Sequence, residues 1–259
     1  MPLKKGTQLI SDSKGKANLL LQQFMSVFTQ TTDTTLPSTK IQCKNKIKPI
    51  IIKQEGLEKL LSKVKVNPSK LSGPGNIPNR ILKECAVQLA LILQKIFQVS
   101  IETGDLPKDW RDANIFKKGD KHLPENYRPV SFTSVPCKLL EHIICRHLMK
   151  HLETNKILTN LNHAFRSGYS CESQLLRTIN DFLKEHDKSP QVDVAILDFS
   201  KAFDTVPHNK LLHKLDQYGI KGSIHTWLRN FLTTRKMRTS VEGETSEEIT
   251  VDSVVPDFP

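Results

Sequence analysis

The run Gln191-Val-Asp-Val-Ala-Ile-Leu-Asp-Phe-Ser-Lys-Ala-Phe-Asp-Thr-Val-Pro-His208 decides how the chain is read. Its first nine residues alternate and are rich in β-branched side chains, which marks a strand over 191–199. A small loop follows, and a helix over 207–218 opens on Pro207, where the missing N–H is no loss. Asp198 thus ends a strand and Asp204 enters a helix. A carboxylate at a strand end can hold a hard cation such as Mg²⁺. The same two aspartates can instead cap a turn and a helix and do nothing more.

Upstream, apolar residues recur at helical spacing in three places. Ser13 to Thr29 carries Ala17, Leu20, Leu21, Phe24, Val27 and Phe28. Leu139 to Leu152 carries Leu139, Leu140, Ile143, Ile144 and Leu148. Glu172 to Glu185 carries Leu175, Leu176, Ile179, Phe182 and Leu183. Asn79 to Ile101 reads as one long, largely buried helix with Ile81, Leu82, Cys85, Leu89, Ile92, Leu93, Ile96 and Phe97 apolar, closed by Gly104 and Pro107. Leu57 to Val64 is a shorter helix ended by Pro68. Residues 111–134 are turn-rich and basic, like a hairpin. Downstream, 223–232 is a helix, and 237–241 and 248–254 are strands flanking the turn at Gly243. The sum is α+β with helices dominant.

The Thr-rich stretch Thr29–Ser38 reads as a linker. The chain changes character at the turn Gly73-Pro-Gly-Asn76. These features divide it into a loosely packed or extended region, 1–66, and a folded region, 67–259.

Lys and Arg number 38 against 27 Asp and Glu, a formal net charge of +11. Such a surplus favours a polyanionic partner, nucleic acid above all. The basic residues between Lys117 and Lys150 can track a template backbone, or form an ordinary solvated face. Five cysteines, none in Cys-x-x-Cys spacing, argue against a disulfide framework or a zinc ribbon. His147 and His151 have the i, i+4 spacing of a metal pair but no evident third ligand. No stretch reaches the roughly 20 apolar residues of a membrane span, and the N-terminus does not read as a signal peptide. The expectation is an intracellular protein, nuclear or cytoplasmic, without a membrane partner.

The run around Asp198 resembles the first catalytic motif of reverse transcriptases, in the form found in jockey-like and related non-LTR retrotransposons. Other stretches resemble the same family in the same order. Leu3-Lys-Lys-Gly-Thr-Gln-Leu9 and Lys16 to Thr29 resemble the segment joining endonuclease to polymerase. Ser72-Gly-Pro-Gly-Asn-Ile-Pro-Asn-Arg80 resembles the opening motif. Ile115-Phe-Lys-Lys-Gly-Asp120 with Asn126-Tyr-Arg-Pro-Val130 resembles the first fingers motif. His163-Ala-Phe-Arg166 with Ser170-Cys-Glu-Ser-Gln174 resembles the second.

That resemblance implies the fingers and part of the palm of a right-hand polymerase fold. It implies an RNA-directed DNA polymerase acting on an RNA template, a DNA primer and deoxynucleoside triphosphates. Asp198 matches the first metal-binding aspartate, and the backbone carbonyl of Phe199 a second ligand. Phe203 matches the bulky residue beneath the incoming sugar. Lys117 and Arg128 match the fingers residues that hold the triphosphate, a task suited to a point charge and a planar fork. The chemistry implied is phosphoryl transfer assisted by two Mg²⁺ ions about 3.5–4 Å apart.

The sequence also departs from the family. Gly73-Pro-Gly-Asn76 stands for Gly-Pro-Asp-Gly, Ala164 for Gly, and the stretch between Trp110 and Ile115 is about three residues short of the pattern. Val254, Asp257 and Phe258 replace Gly, Gln and Gly of the next motif, and the 259 residues contain no Asp-Asp pair. The expectation is therefore an incomplete site, inactive in this chain alone. The alternative is a non-catalytic nucleic-acid-binding remnant.

Overall fold

The computed structural model describes residues 2–26, 28, 36, 42–65, 77–107, 112–113, 116–117, 122–124, 127–128, 134–189, 191–199, 202–233, 236–251 and 253. The fold is α+β and helix-rich with small sheets. Most of the Thr-rich stretch, the turn at 73–76 and the tail from 254 lie outside the described residues.

The first core is built by helices α2 (Gln54–Ser62), α3 (Asn79–Glu84), α4 (Ala86–Thr103), α5 (Val135–Thr154), α7 (His208–Gln217) and α8 (Ser223–Thr233). One close junction joins the end of α4 to α8. α4 stops at Gly104, which adopts φ +78°. A Cβ there would meet Thr226 Cγ2 at 2.8 Å, so α8 approaches this closely only over glycine. Trp227 is fully buried beside it and stacks on Phe231, with ring centroids 4.9 Å apart. The Trp227 indole N–H donates to Ser100 Oγ at 3.0 Å, and Ser100 donates to the Asp105 carbonyl at 2.6 Å. Asn230 closes the set by donating to the Gly104 carbonyl at 2.9 Å. The polar groups entering this core are thus paired, as burial requires.

Residues 42–65 are part of the same core. Ile50, Ile52, Leu57 and Leu61 are buried in it. The unpaired backbone of this stretch is satisfied by α4 side chains. Gln98 accepts from the Ile52 amide at 3.0 Å, and Gln94 donates to the Ile52 carbonyl at 2.9 Å. The chain then crosses the turn between α7 and α8, where the Ile47 amide donates to the Gly219 carbonyl at 2.9 Å. Gly219 has φ +82°, and a Cβ there would collide with the Asn45 carbonyl.

A second core lies around α1 (Ser13–Met25). Strands β1 (Leu3–Lys5) and β2 (Gln8–Ile10) form an antiparallel hairpin ahead of it. Asp12 caps α1 by accepting from the Gly15 amide at 2.6 Å. β3 (Asp112–Ala113) pairs in parallel with β6 (Lys236–Met237), which pairs antiparallel with β9 (Ile249–Thr250). β7 (Ser240–Val241) and β8 (Glu244–Thr245) form a hairpin whose turn is Glu242-Gly243, both at positive φ. Leu3, Leu19, Leu20, Leu21, Phe24, Met237 and Val251 are buried together. Glu242 fastens the hairpin to α1, accepting from Ser13 Oγ at 2.6 Å and Lys16 Nζ at 2.8 Å.

Several expectations need correcting. The described residues within 1–66 are not loosely packed: their apolar side chains help build both cores. The helix expected over 79–101 breaks at Cys85, φ −97° and ψ 26°, and continues as α4. Nor is it largely buried, since Ile81, Ile92 and Ile96 are exposed while Leu82, Leu93 and Phe97 are not. Helix α6 (Cys171–His186) forms under a capping box at Ser170, yet none of its residues is buried. The strand expected over 191–199 pairs with no described strand, and Val194, Ile196, Leu197 and Phe199 are exposed. Alternation supplies a strand's side-chain pattern, but the ladder also needs a neighbour for its hydrogen bonds. His147 and His151 each bond a backbone carbonyl, of Ile143 and Tyr218.

Two stability outcomes follow from the cores. Trp227→Ala should cost about 3–5 kcal/mol. Thr239 is fully buried with no partner for Oγ1, so Thr239→Val should stabilise by about 1 kcal/mol. Urea denaturation followed by circular dichroism measures both, and a destabilised Thr239→Val contradicts the assignment.

A pH outcome follows from Glu242. Its carboxyl is held down to about 2, first by the Lys16 ammonium and then by the Ser13 hydroxyl. A depressed carboxyl stabilises the fold above its ordinary value of 4.5, and that contribution is lost as pH falls through about 2. Amide exchange in 240–245 should therefore accelerate across this window. Glu242→Gln should remove the acid-dependent component; a Gln variant with the wild-type acid profile excludes this contact as its source.

Candidate active site

Lys117 and Arg128 lie on one small ladder. β4 (Phe116–Lys117) pairs antiparallel with β5 (Tyr127–Arg128), Phe116 opposite Arg128 and Lys117 opposite Tyr127. The two cations, eleven positions apart in sequence, are therefore one step apart across the ladder. Tyr127 packs against the second core, which anchors β5.

Asp198 and Phe199 lie on the unpaired segment 191–199, both exposed, with Phe199 82 % accessible. Among the described residues Asp198 makes no hydrogen bond or ion pair. Phe203 follows in the turn 202–205 that leads into α7 and is half-exposed. The ring of Phe165 meets it edge-on, with centroids 6.1 Å apart and planes at 89°. Phe165 belongs to the His163–Arg166 stretch and has φ +57°. The turn is pinned from the far end of the chain: Ser253 Oγ donates to the Asp204 carbonyl at 2.9 Å, and Ser253 bridges Pro207.

The structure thus sets Lys117 and Arg128 on the two strands of one ladder, opposite Tyr127 and Phe116, and brings Phe203 to Phe165. Among the described residues no carboxylate contact to Asp198 is found. Among the described residues no three His, Cys, Asp or Glu side chains gather as a metal site. A lone exposed carboxylate and a peptide carbonyl do not fit a two-ion centre, because Mg²⁺ keeps its waters unless charge and geometry are supplied.

One charged cluster near this region escaped sequence reading. Arg166 forms a bidentate pair with Glu153, Nε to Oε1 and Nη2 to Oε2, both at 2.7 Å. Its remaining nitrogen donates to the carbonyls of Thr159 and Asn162 at 2.7 and 3.1 Å, and its guanidinium lies 4.3 Å from the Tyr169 ring centroid. Arg166 thereby ties the loop after α5 into one piece and sets the backbone that carries Phe165. The partners are 13 residues apart and on different elements, so no local spacing announces them.

The chain is similar to known proteins along most of its length. Residues 115–257 match the family model described as reverse transcriptase (RNA-dependent DNA polymerase). A probable RNA-directed DNA polymerase from transposon BS of Drosophila melanogaster is 29% identical over 261 residues, covering 93% of this chain and 28% of that protein. The RNA-directed DNA polymerase from mobile element jockey of Drosophila funebris is 28% identical over 206 residues, 78% of this chain and 22% of that protein. The Pol polyprotein from type-1 retrotransposable element R2 of Popillia japonica is 28% identical over 151 residues, 57% of this chain and 21% of that protein. The chain belongs to the reverse transcriptase family, in its non-LTR retrotransposon branch. It spans about a quarter of the length of these relatives. The family's chemistry is generally metal-dependent, and no described helix is long and apolar enough to cross a membrane.

The Arg166 cluster gives the next expected outcome. The Arg166 guanidinium holds the Glu153 carboxyl below the usual carboxylate range. Its stabilising effect is full above that range and is lost as pH falls through the depressed value. Glu153→Gln should lower the melting temperature at pH 7 and leave it nearly unchanged at acid pH, where the wild type has lost the same charge. An equal loss at both pH values contradicts the charge-based role.

Proposed function

We propose that this chain is the fingers and the beginning of the palm of an RNA-directed DNA polymerase, and that it binds an RNA template, a DNA primer and a deoxynucleoside triphosphate. The observation that supports the reading is the match of residues 115–257 to the reverse transcriptase family, within which Lys117 and Arg128 fall on the two strands of one antiparallel ladder. A point charge and a planar fork are the donor types that suit the phosphate oxygens of a triphosphate. Phe203, propped by Phe165, lies beneath the sugar, where a ring excludes a ribose 2′-hydroxyl by contact. Residues 67–259 form the polymerase part, and 1–66 correspond to the segment joining endonuclease to polymerase. The chain works inside the cell, nuclear or cytoplasmic. In a longer protein Asp198 and the Phe199 carbonyl would serve as ligands to Mg²⁺ beside further carboxylates; the 259 residues alone do not make that centre.

The net charge of +11 supports sequence-indifferent binding to RNA and single-stranded DNA, weakening steeply between about 50 and 200 mM salt. Deoxythymidine triphosphate should bind the chain, and Lys117→Ala or Arg128→Ala should each weaken it about ten-fold. Phe203→Ala should raise affinity for the ribonucleotide relative to the deoxynucleotide. The 259-residue polypeptide should not extend a primer. Extension by the wild type that vanishes in Asp198→Asn contradicts the last statement. RNA binding without any triphosphate binding favours the non-catalytic remnant.

A further inference from the structure

The β4–β5 hairpin sets Phe116 opposite Arg128 and Lys117 opposite Tyr127. Its support comes from about a hundred residues upstream. The Lys4 amide donates to the His122 carbonyl at 2.9 Å, within the connection between β4 and β5. On the same side His122 Nδ1 is 2.9 Å from the Pro2 carbonyl, the distance of a ring N–H donating to it. Strand β1 is therefore hydrogen-bonded on both edges, to β2 by its own ladder and to the hairpin connection through Lys4. At the hairpin's other end Tyr127, next to Arg128, packs against the cluster of Leu3, Leu20, Phe24 and Met237. Glu242, Ser13 and Lys16 lock α1 to the β7–β8 hairpin, so this cluster has a rigid back wall.

We propose that the N-terminal unit β1–β2–α1 is a brace that fixes the β4–β5 hairpin, with Lys4, Phe24 and Tyr127 as positioning residues for the cations at 117 and 128. The proposal rests on the reading of Lys117 and Arg128 as triphosphate ligands and adds what holds them. A triphosphate gains most from donors whose geometry is set before it arrives, because a misplacement of about 1 Å can cost a hundred-fold. The segment that the family resemblance assigns to the joint between endonuclease and polymerase thereby acquires a part in the proposed nucleotide site.

The test uses the full chain and two variants. Lys4→Pro deletes the N–H that reaches His122, while Lys4 stands opposite Leu9 and the flanking Leu3–Ile10 and Lys5–Gln8 pairs remain. Phe24→Ala hollows the cluster under Tyr127, and Phe24→Leu refills most of it. Hydrogen exchange at Tyr127 and Arg128 should rise at least about ten-fold in Lys4→Pro and Phe24→Ala, with α4 and α8 unchanged. Affinity for deoxythymidine triphosphate should fall by about ten-fold in both, with affinity for an RNA oligonucleotide unchanged, and Phe24→Leu should restore it. Wild-type triphosphate binding with equal binding by both variants overturns the brace and leaves the ligand reading standing. A wild type that binds no triphosphate overturns the ligand reading and the proposal with it.

Discussion

The packing of α8 across the end of α4 is the constraint on which the rest depends. Gly104 must adopt a positive φ to end α4, and its missing Cβ is the space that Thr226 fills. Only then do Trp227 and Phe231 enter the core, with the indole N–H reaching Ser100. The contact orients α7 through the turn at Gly219, and that turn holds residues 43–47 against the helices. The aromatic turn at Phe203 immediately precedes α7, so its position is inherited from this helical packing rather than from a sheet.

The residues proposed for the nucleotide site come from elements of both cores. Phe203 and Phe165 belong to loops anchored on the helical core, with Arg166 and Glu153 fixing one of them. Lys117 and Arg128 sit on a short ladder supported by the N-terminal core. Residues 236–253 connect the two, since β6 pairs with β3 and Ser253 reaches back to Asp204 and Pro207. Two apolar faces remain open: Leu175, Leu176, Ile179 and Leu183 on α6, and Val194, Ile196 and Leu197 on the unpaired segment.

The helices were legible in the sequence because their periodicity is local. α5, α7 and α8 fall within a few residues of the ranges that spacing and terminal signals define. Gly104 announced the end of α4 for the physical reason the structure displays. The break at Cys85 was not legible, since an apolar run reads the same through a one-residue kink. Burial was also beyond the sequence at α6 and 191–199: amphipathic and alternating patterns say which face is apolar, not whether anything covers it. Residues 1–66 looked like a linker because their partners, Met237, Val251 and the α4 glutamines, are far away in sequence. For the site, order and spacing of the motifs gave the candidates. The ladder that joins the strands of Lys117 and Arg128 and the Arg166–Glu153 clamp are three-dimensional facts with no local signature.

The central claim is that the hairpin at 117–128 and the turn at 198–203 receive one nucleotide. Photo-crosslinking with 4-thio-deoxythymidine triphosphate in the presence of an RNA–DNA template–primer, mapped by peptide mass spectrometry, tests it most directly. The account predicts adducts within 116–128 and 198–203, competed away by unlabelled deoxynucleotide. Adducts confined to α6 or to the outer face of α4, or insensitive to competitor, would contradict it.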